Sequence, residues 1–327
     1  MNPNICFLIY LARSGSTLLA SELDQYESIG VTLEENLPDG IKKGEPLKIE
    51  NNEDLENCLN KIYRDEKFQA WGIDKTKLRN LLLKYSRFPL QYRDILINVY
   101  SLYFENTHPE TVIHKQGNYA LLIDKVRTEF PEALFLFVDR DPRAIHNSQI
   151  RYGKSTSGKL MNPGIVKFAL TYKRMQNLIG HYMYEPFFYR VNYEDLIENK
   201  SEVLRRIIDF LGINTSKKKE KESYYSRIPE QQRHLHQNIQ ESYHLFRTTG
   251  WKEEMDSHRI VFLQVALRKE LLDKNFEHYQ PGRLSVLQKM IFIYWLIQYL
   301  LIYNLLILTN WNYFSLKKGR FRKFGCG

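Results

Sequence analysis

The sequence predicts an α/β domain followed by one long hydrophobic helix, and three stretches carry that expectation. Residues 7–11 and 134–138 are continuous apolar runs of the kind covered on both faces in a parallel sheet, and each leads through a short polar turn into a helical pattern. Residues 290–314 contain no charged side chain and are long enough to cross a bilayer. A chain of 327 residues can bury a sizeable core as one domain plus an appendage. The expected division is residues 1–283 and residues 284–327.

Taken in order, Phe7-Leu8-Ile9-Tyr10-Leu11 is a strand, and Ser14-Gly15-Ser16 a turn tight enough to point several N–H groups into one concavity. Ser16 and Thr17 open a helix running to about Tyr26, whose first amides and dipole favour an anion. Arg13 adds a fixed positive charge, so the geometry suggests phosphate. The pattern G-x-x-x-x-G-K-[ST] is missing there, which disfavours an ordinary ATP- or GTP-hydrolysing site. The segment Gly30-Val31-Thr32-Leu33-Glu34-Glu35-Asn36 reads as a second strand or extended piece, and residues 39–52 as a surface loop. Residues 55–63, 77–85 and 92–105 have helical apolar spacing and are expected to cover the sheet edge.

Residues 111–115 read as a strand and 119–130 as a helix closed by Pro131. After the strand at 134–138, Asp141 is a natural N-cap with Pro142 in the first helical position, where its missing N–H costs nothing. That leaves Arg140 at the carboxyl edge of a strand and Ser148 two turns down the following helix, placed to converge on one group. Residues 186–196 read as a third buried strand, followed by a helix over 203–211 with Gly212 as its stop.

These segments together resemble the sulfotransferases that use 3′-phosphoadenosine 5′-phosphosulfate as donor. Ala12-Arg13-Ser14-Gly15-Ser16-Thr17 is similar to their 5′-phosphosulfate loop, with Ala12 where proline is usual, and Arg140 and Ser148 match the R-x₇-S pair that holds the donor 3′-phosphate. Arg190-Val191-Asn192-Tyr193-Glu194-Asp195-Leu196 is similar to a segment R-Y-E-D-L preceding a helix that ends in F-L-G, with Asn192 replacing a basic residue. Arg247-Thr248-Thr249-Gly250-Trp251-Lys252 resembles the late loop that closes over the nucleotide.

The resemblance spans residues 6–271 and implies a P-loop NTPase-like sulfotransferase fold, a mostly parallel sheet flanked by helices. It implies donor contacts from Arg13, Ser14, Gly15, Ser16, Thr17, Leu18, Arg140, Ser148, Arg247, Thr248, Thr249 and Gly250, an adenine-side contact or a structural role for Tyr193, and no metal. Arg13 keeps its proton, so its role is expected to be electrostatic. A base must take the acceptor proton. Glu34, in a Val31-Thr32-Leu33-Glu34 segment that resembles those of carboxylate-using glycan and protein sulfotransferases, is the expected one, with His114 and Glu35 as rivals. The K-T-H pattern of the soluble small-molecule branch is interrupted here, because Lys115 is followed by Gln116 and Gly117.

Composition narrows the partners. The net charge of +9 is concentrated at Lys217 to Lys219 and at Lys317, Lys318, Arg320, Arg322 and Lys323, local patches that do not make a nucleic-acid groove. Cys6, Cys58 and Cys326 are too few and too scattered for a disulfide framework, and His234-Leu235-His236 lacks the further ligands of a metal set. The hydrophobic stretch has no solvated face, and a full crossing from the cytosol would carry the basic tail against the positive-inside tendency. The expectation is a monotopic or tail-anchored enzyme on the cytoplasmic side of a membrane, touching it through residues 286–323 and acting on a glycan, lipid-linked or other membrane-associated acceptor. Single-pass insertion is the alternative topology. A divergent nucleotide-dependent kinase and a non-catalytic membrane-surface binding protein are the alternative functions.

Overall fold

Five strands form one sheet in the order β2-β3-β1-β4-β5, with every pairing parallel, in a computed structural model of the chain. The structure describes residues 3–35, 49–85, 87–156, 164–213, 217–219, 224–228, 230 and 246–309. The expectations for Asn36, most of the loop at 39–52, His234-Leu235-His236 and the basic tail at 317–323 lie outside the described residues.

The chain divides into two compact units, Met1–Asp139 with Tyr182–Tyr243, and Arg140–His181 with His244–Gly327. The whole sheet belongs to the first. Its central strand β1 (Asn4–Tyr10) is buried from Ile5 onward, as a strand covered on both faces must be. Helix α1 (Ser16–Leu23) follows, and then β2 (Ile29–Val31), shorter than expected. Backbone pairing continues one step further, Thr32 N–H donating to the Ile113 carbonyl at 3.0 Å, and the Thr32 hydroxyl then accepts the Lys115 amide at 3.1 Å.

Helices α2 (Asn52–Ile62), α3 (Glu66–Gln69), α4 (Lys75–Tyr85) and α5 (Tyr92–Tyr103) form the expected cover, α3 being a helix the spacing had not indicated. Strand β3 (Thr111–Lys115) is fully buried. The single helix expected over 119–130 is instead a 3₁₀ turn, Gly117–Leu121, and α6 (Ile123–Glu129). The turn lets Tyr119 reach the core, 4.9 Å from the Phe7 ring.

Strand β4 (Leu134–Asp139) lies on the other side of β1. In the second unit, α7 (Pro142–Thr156) and α8 (Ile165–Gly180) follow it in sequence. Back in the first unit, β5 (Phe188–Asn192) corrects the expected buried strand: it is an edge strand whose Tyr189 and Arg190 are half-buried. It stops at Asn192, whose side chain caps α9 (Tyr193–Glu198) by accepting the Asp195 amide at 3.0 Å. Helix α10 (Lys200–Phe210) ends before Gly212 at φ 68°, and α11 (Tyr224–Arg227) closes the described part of this unit.

The second unit continues with α12 (Phe246–Thr249), α13 (Trp251–Glu254), α14 (Ser257–Ala266), α15 (Arg268–Leu272) and α16 (Val286–Thr309). Helix α16 is long and apolar enough to cross a membrane by length and composition. One side of it packs on α14 and α8 of that unit, while most of its apolar residues stay exposed.

Candidate active site

Tyr10 ends β1, and the turn after it is built to present amides. Ser14 N–H donates to the Leu11 carbonyl at 3.1 Å, and Arg13 and Gly15 both take left-handed backbone angles, φ 77° and 98°. Gly15 is the N-cap of α1 and has no side chain to satisfy the helix's first donors. A Cβ on Gly15 would fall 2.2 Å from Cδ2 of the buried Tyr193 ring, so only glycine fits between ring and turn. Ser14 Oγ is buried and finds no hydrogen-bond partner among the described residues. An orphaned hydroxyl costs about 1–3 kcal/mol; here it sits beside the opening of an eight-residue helix and next to Arg13. This donor set fits a phosphate or sulfate group. Of the expected contacts, Ser16 and Leu18 are buried in α1, while Arg13, Gly15 and Thr17 are half-buried.

Beyond β2 the first unit holds a second polar cluster. Glu34 Oε1 accepts from Tyr10 Oη and from Lys115 Nζ, both at 2.5 Å, and Oε2 accepts from Lys67 Nζ at 3.0 Å. Burial raises the Glu34 pKa, but the charges of Lys115 and Lys67 and the bonds from Lys115 and Tyr10 outweigh it, holding the carboxyl well below the usual range. Burial pushes the Lys115 ammonium down, against the pull of Glu34. Gly117 lets the 3₁₀ turn after β3 pass close to the end of β1, since a Cβ would meet the Tyr10 carbonyl at 2.4 Å. Glu34 is therefore an ionised carboxylate, reachable from solvent, beside the end of the strand that feeds the turn at residues 11–17.

Glu35 and His114 are placed differently. His114 Nε2 and Glu35 Oε1 are 2.8 Å apart, Tyr100 Oη and His114 Nδ1 are also 2.8 Å apart, and the side chains of Glu35 and His114 are wholly buried. Gln116 Nε2 donates to the Glu35 carbonyl. Both rivals for the base are thus engaged with each other inside the core.

The second unit gathers the remaining expected contacts. Asp141 caps α7 by accepting the Arg143 amide at 2.8 Å, as its position before Pro142 suggested. Arg140 is buried and its carbonyl accepts from Tyr172 Oη at 3.3 Å, while Ser148 is half-buried on α7. The buried Arg143 guanidinium grips Asp141, donates to Gln264 at 2.8 Å and lies 4.0 Å from the Trp251 ring. Asn147 and Arg151 each donate to Glu254 at 2.6 Å. These bonds fasten α13, and with it the segment Thr248 to Gly250, to the helix carrying Ser148. Thr248 and Gly250 are buried and Thr249 exposed; Arg247 lies on α12, and its side chain falls outside the described residues.

Sequence reasoning missed Tyr10 and Lys67 as partners of Glu34. A hydroxyl at the end of an apolar strand was the available signal for Tyr10. Lys67, on a four-residue helix, carried none.

Every pairing in the sheet is parallel, and its central strand runs at its carboxyl end into a turn and helix start whose donors fit an anion. The sulfotransferase family profile matches residues 6–217, most of the chain including that turn, and the chain belongs to the sulfotransferase family. Among solved structures it is similar to the sulfotransferase domain of the Synechococcus olefin synthase, with 18% identity over 86% of this chain and 97% of that one and a TM-score of 0.53. It is also similar to the sulfotransferase domain of the curacin biosynthetic pathway, with 17% identity, 85% and 99% coverage and a TM-score of 0.51. No curated protein matches the chain.

Proposed function

We propose that this sulfotransferase moves a sulfuryl group from 3′-phosphoadenosine 5′-phosphosulfate to a hydroxyl or amine of a membrane-associated acceptor, glycan or lipid-linked, at the cytoplasmic side of a membrane. The observation that carries the reading is the turn at residues 11–17, with its orphaned Ser14 hydroxyl, left-handed Gly15 and uncapped helix start. In the transfer, an acceptor oxygen bonds to sulfur as the bond from sulfur to the phosphate oxygen breaks, so charge grows on the departing phosphate. Arg13 and the turn amides neutralise that charge. Arg140 and Ser148 hold the 3′-phosphate, Tyr193 braces Gly15, and the segment from Arg247 to Gly250 closes on the nucleotide.

Glu34 takes the proton that the acceptor gives up. Its ionised state and its 31% exposure support it over the enclosed His114 and Glu35. While both lysines touch it the carboxylate is a weak base, so its work depends on the acceptor displacing one of them, and Lys67, the more exposed, is the one free to yield.

Calorimetry with 3′-phosphoadenosine 5′-phosphate tests the donor site. Each charge-assisted contact contributes about 1.5–3 kcal/mol, so Arg140→Ala and Ser148→Ala should each weaken binding about tenfold or more, while adenosine 5′-phosphosulfate affinity changes little. Equal loss for both nucleotides overturns the assignment. Transfer of labelled sulfate from the donor into a membrane extract identifies the acceptor; label from ATP and magnesium instead would make the protein a kinase, and no transfer from either a binding protein.

A further inference from the structure

Helix α16 has two faces in different surroundings. Trp295, Tyr299 and Tyr303 are spaced four apart and share one side. Trp295 stacks on His258 at 5.1 Å and meets Phe262 at 5.8 Å; Tyr299 Oη donates to the Ala266 carbonyl at 3.0 Å, and Lys173 Nζ lies 5.3 Å from the Tyr303 ring. The opposite side carries Met290, Ile297 and Leu301, which are 63%, 53% and 67% exposed, against 5% for Tyr299. A helix facing water carries polar residues on its outer side; this one carries Met290, Ile293, Ile297, Leu301 and Leu305, interrupted by Asn304.

Resting on the membrane association proposed above, we infer that α16 lies in the plane of one anionic leaflet, its outer face among the acyl chains and its inner face held on the catalytic chain, and does not cross the bilayer. The groups packed along its inner face decide between the two. Arg259 lies 5.5 Å from the Trp295 ring, and Lys173 pairs with Glu270 at 3.1 Å beside Tyr303. A crossing helix with this packing would draw those charges into hydrocarbon, where each is costly. An in-plane helix leaves them on the water side.

The residues after the helix choose the occupant. Residues 310–327 contain Lys317, Lys318, Arg320, Arg322 and Lys323 and no acidic residue, together with Trp311, Tyr313, Phe314, Phe321 and Phe324. Cations interleaved with aromatic rings suit an anionic headgroup layer. A second copy of the chain would instead bring two sets of like charges together.

The test uses the full-length protein with Cys58→Ser and Cys326→Ser, Cys6 being fully buried, and single spin labels at Met290→Cys, Ile297→Cys or Leu305→Cys. Each is reconstituted from detergent, so that either topology can form, into vesicles of phosphatidylcholine and phosphatidylserine at 3:1, and label depth is read by oxygen and nickel accessibility. The three labels should lie at one depth, about 5–10 Å below the headgroups. An Ile297 label about 10 Å deeper than both others, as a helix rising 1.5 Å per residue requires of a crossing, overturns the in-plane geometry and leaves membrane association standing. Failure to float with vesicles overturns both. Mutual broadening of Ile297 labels without lipid contact assigns the face to a second copy. Replacing Ile297 and Leu301 together by lysine should reduce vesicle partitioning at least tenfold with an unchanged circular dichroism spectrum; unchanged partitioning overturns the proposal.

Discussion

Glu34 and Glu35 leave β2 side by side, yet the first is 31% exposed and touches two lysines and a tyrosine hydroxyl, whereas the second is wholly buried against His114. Extended backbone sends successive side chains to opposite sides, and β3 offers each a different neighbour, Lys115 to Glu34 and His114 to Glu35. One residue of displacement thus separates a carboxylate open to solvent from one that knits the core.

The strongest test of that contrast is Glu34→Gln, expected to lower turnover about a hundredfold, as loss of a general base does. Stability should also fall, by about 1–3 kcal/mol, because Lys115, 2% exposed, loses its counter-ion, so turnover is expressed per folded molecule. Turnover in a sulfate-transfer assay and urea denaturation of the same preparation check both halves. Should His114→Ala abolish turnover in a folded protein while Glu34→Gln does not, the roles are reversed.

Glu35→Gln should differ in turnover, not in stability. It leaves a buried His114 nitrogen poorly matched, costing about 1–3 kcal/mol in the denaturation midpoint analysis, with turnover per folded molecule within about twofold.

The smallest effect is expected from Lys67→Ala. The lysine helps to hold the Glu34 pKa down, so wild-type Glu34 stays ionised through neutral pH and loses its charge only as pH falls through that low pKa. Removing one cation raises the pKa, and the acid limb of kcat/KM should move to higher pH by about one unit. A limb that moves down, or does not move, removes Lys67 from the control of Glu34.

A second contrast concerns how the two segments proposed to hold the nucleotide are supported. The turn at residues 11–17 relies on backbone angles and one packed ring, with Gly15 irreplaceable because Tyr193 fills the space of a Cβ. The segment Thr248 to Gly250 is fastened by side chains, the Arg143 and Glu254 contacts that join α13 to α7. The first kind of support is visible as a sequence motif; the second is not, since Asn147 and Glu254 are 107 positions apart.

The amino-acid sequence by itself determined the strands β1, β3 and β4, the glycine turn after β1, and the start of α7, because each rests on local causes: continuous burial on both faces, a glycine in a left-handed turn, an Asp-Pro cap. It also determined that residues 290–314 cannot be an ordinary solvated helix. Tertiary structure decided the rest. It broke the helix expected over 119–130 so that Tyr119 could pack on Phe7, and it set β5 at the sheet edge, where Arg190 pairs with Asp139 at 2.5 Å. It enclosed His114 while leaving Glu34 open, and it turned one side of α16 against charged neighbours. These outcomes depend on which distant side chain occupies the adjoining space, and no periodicity within a segment encodes that.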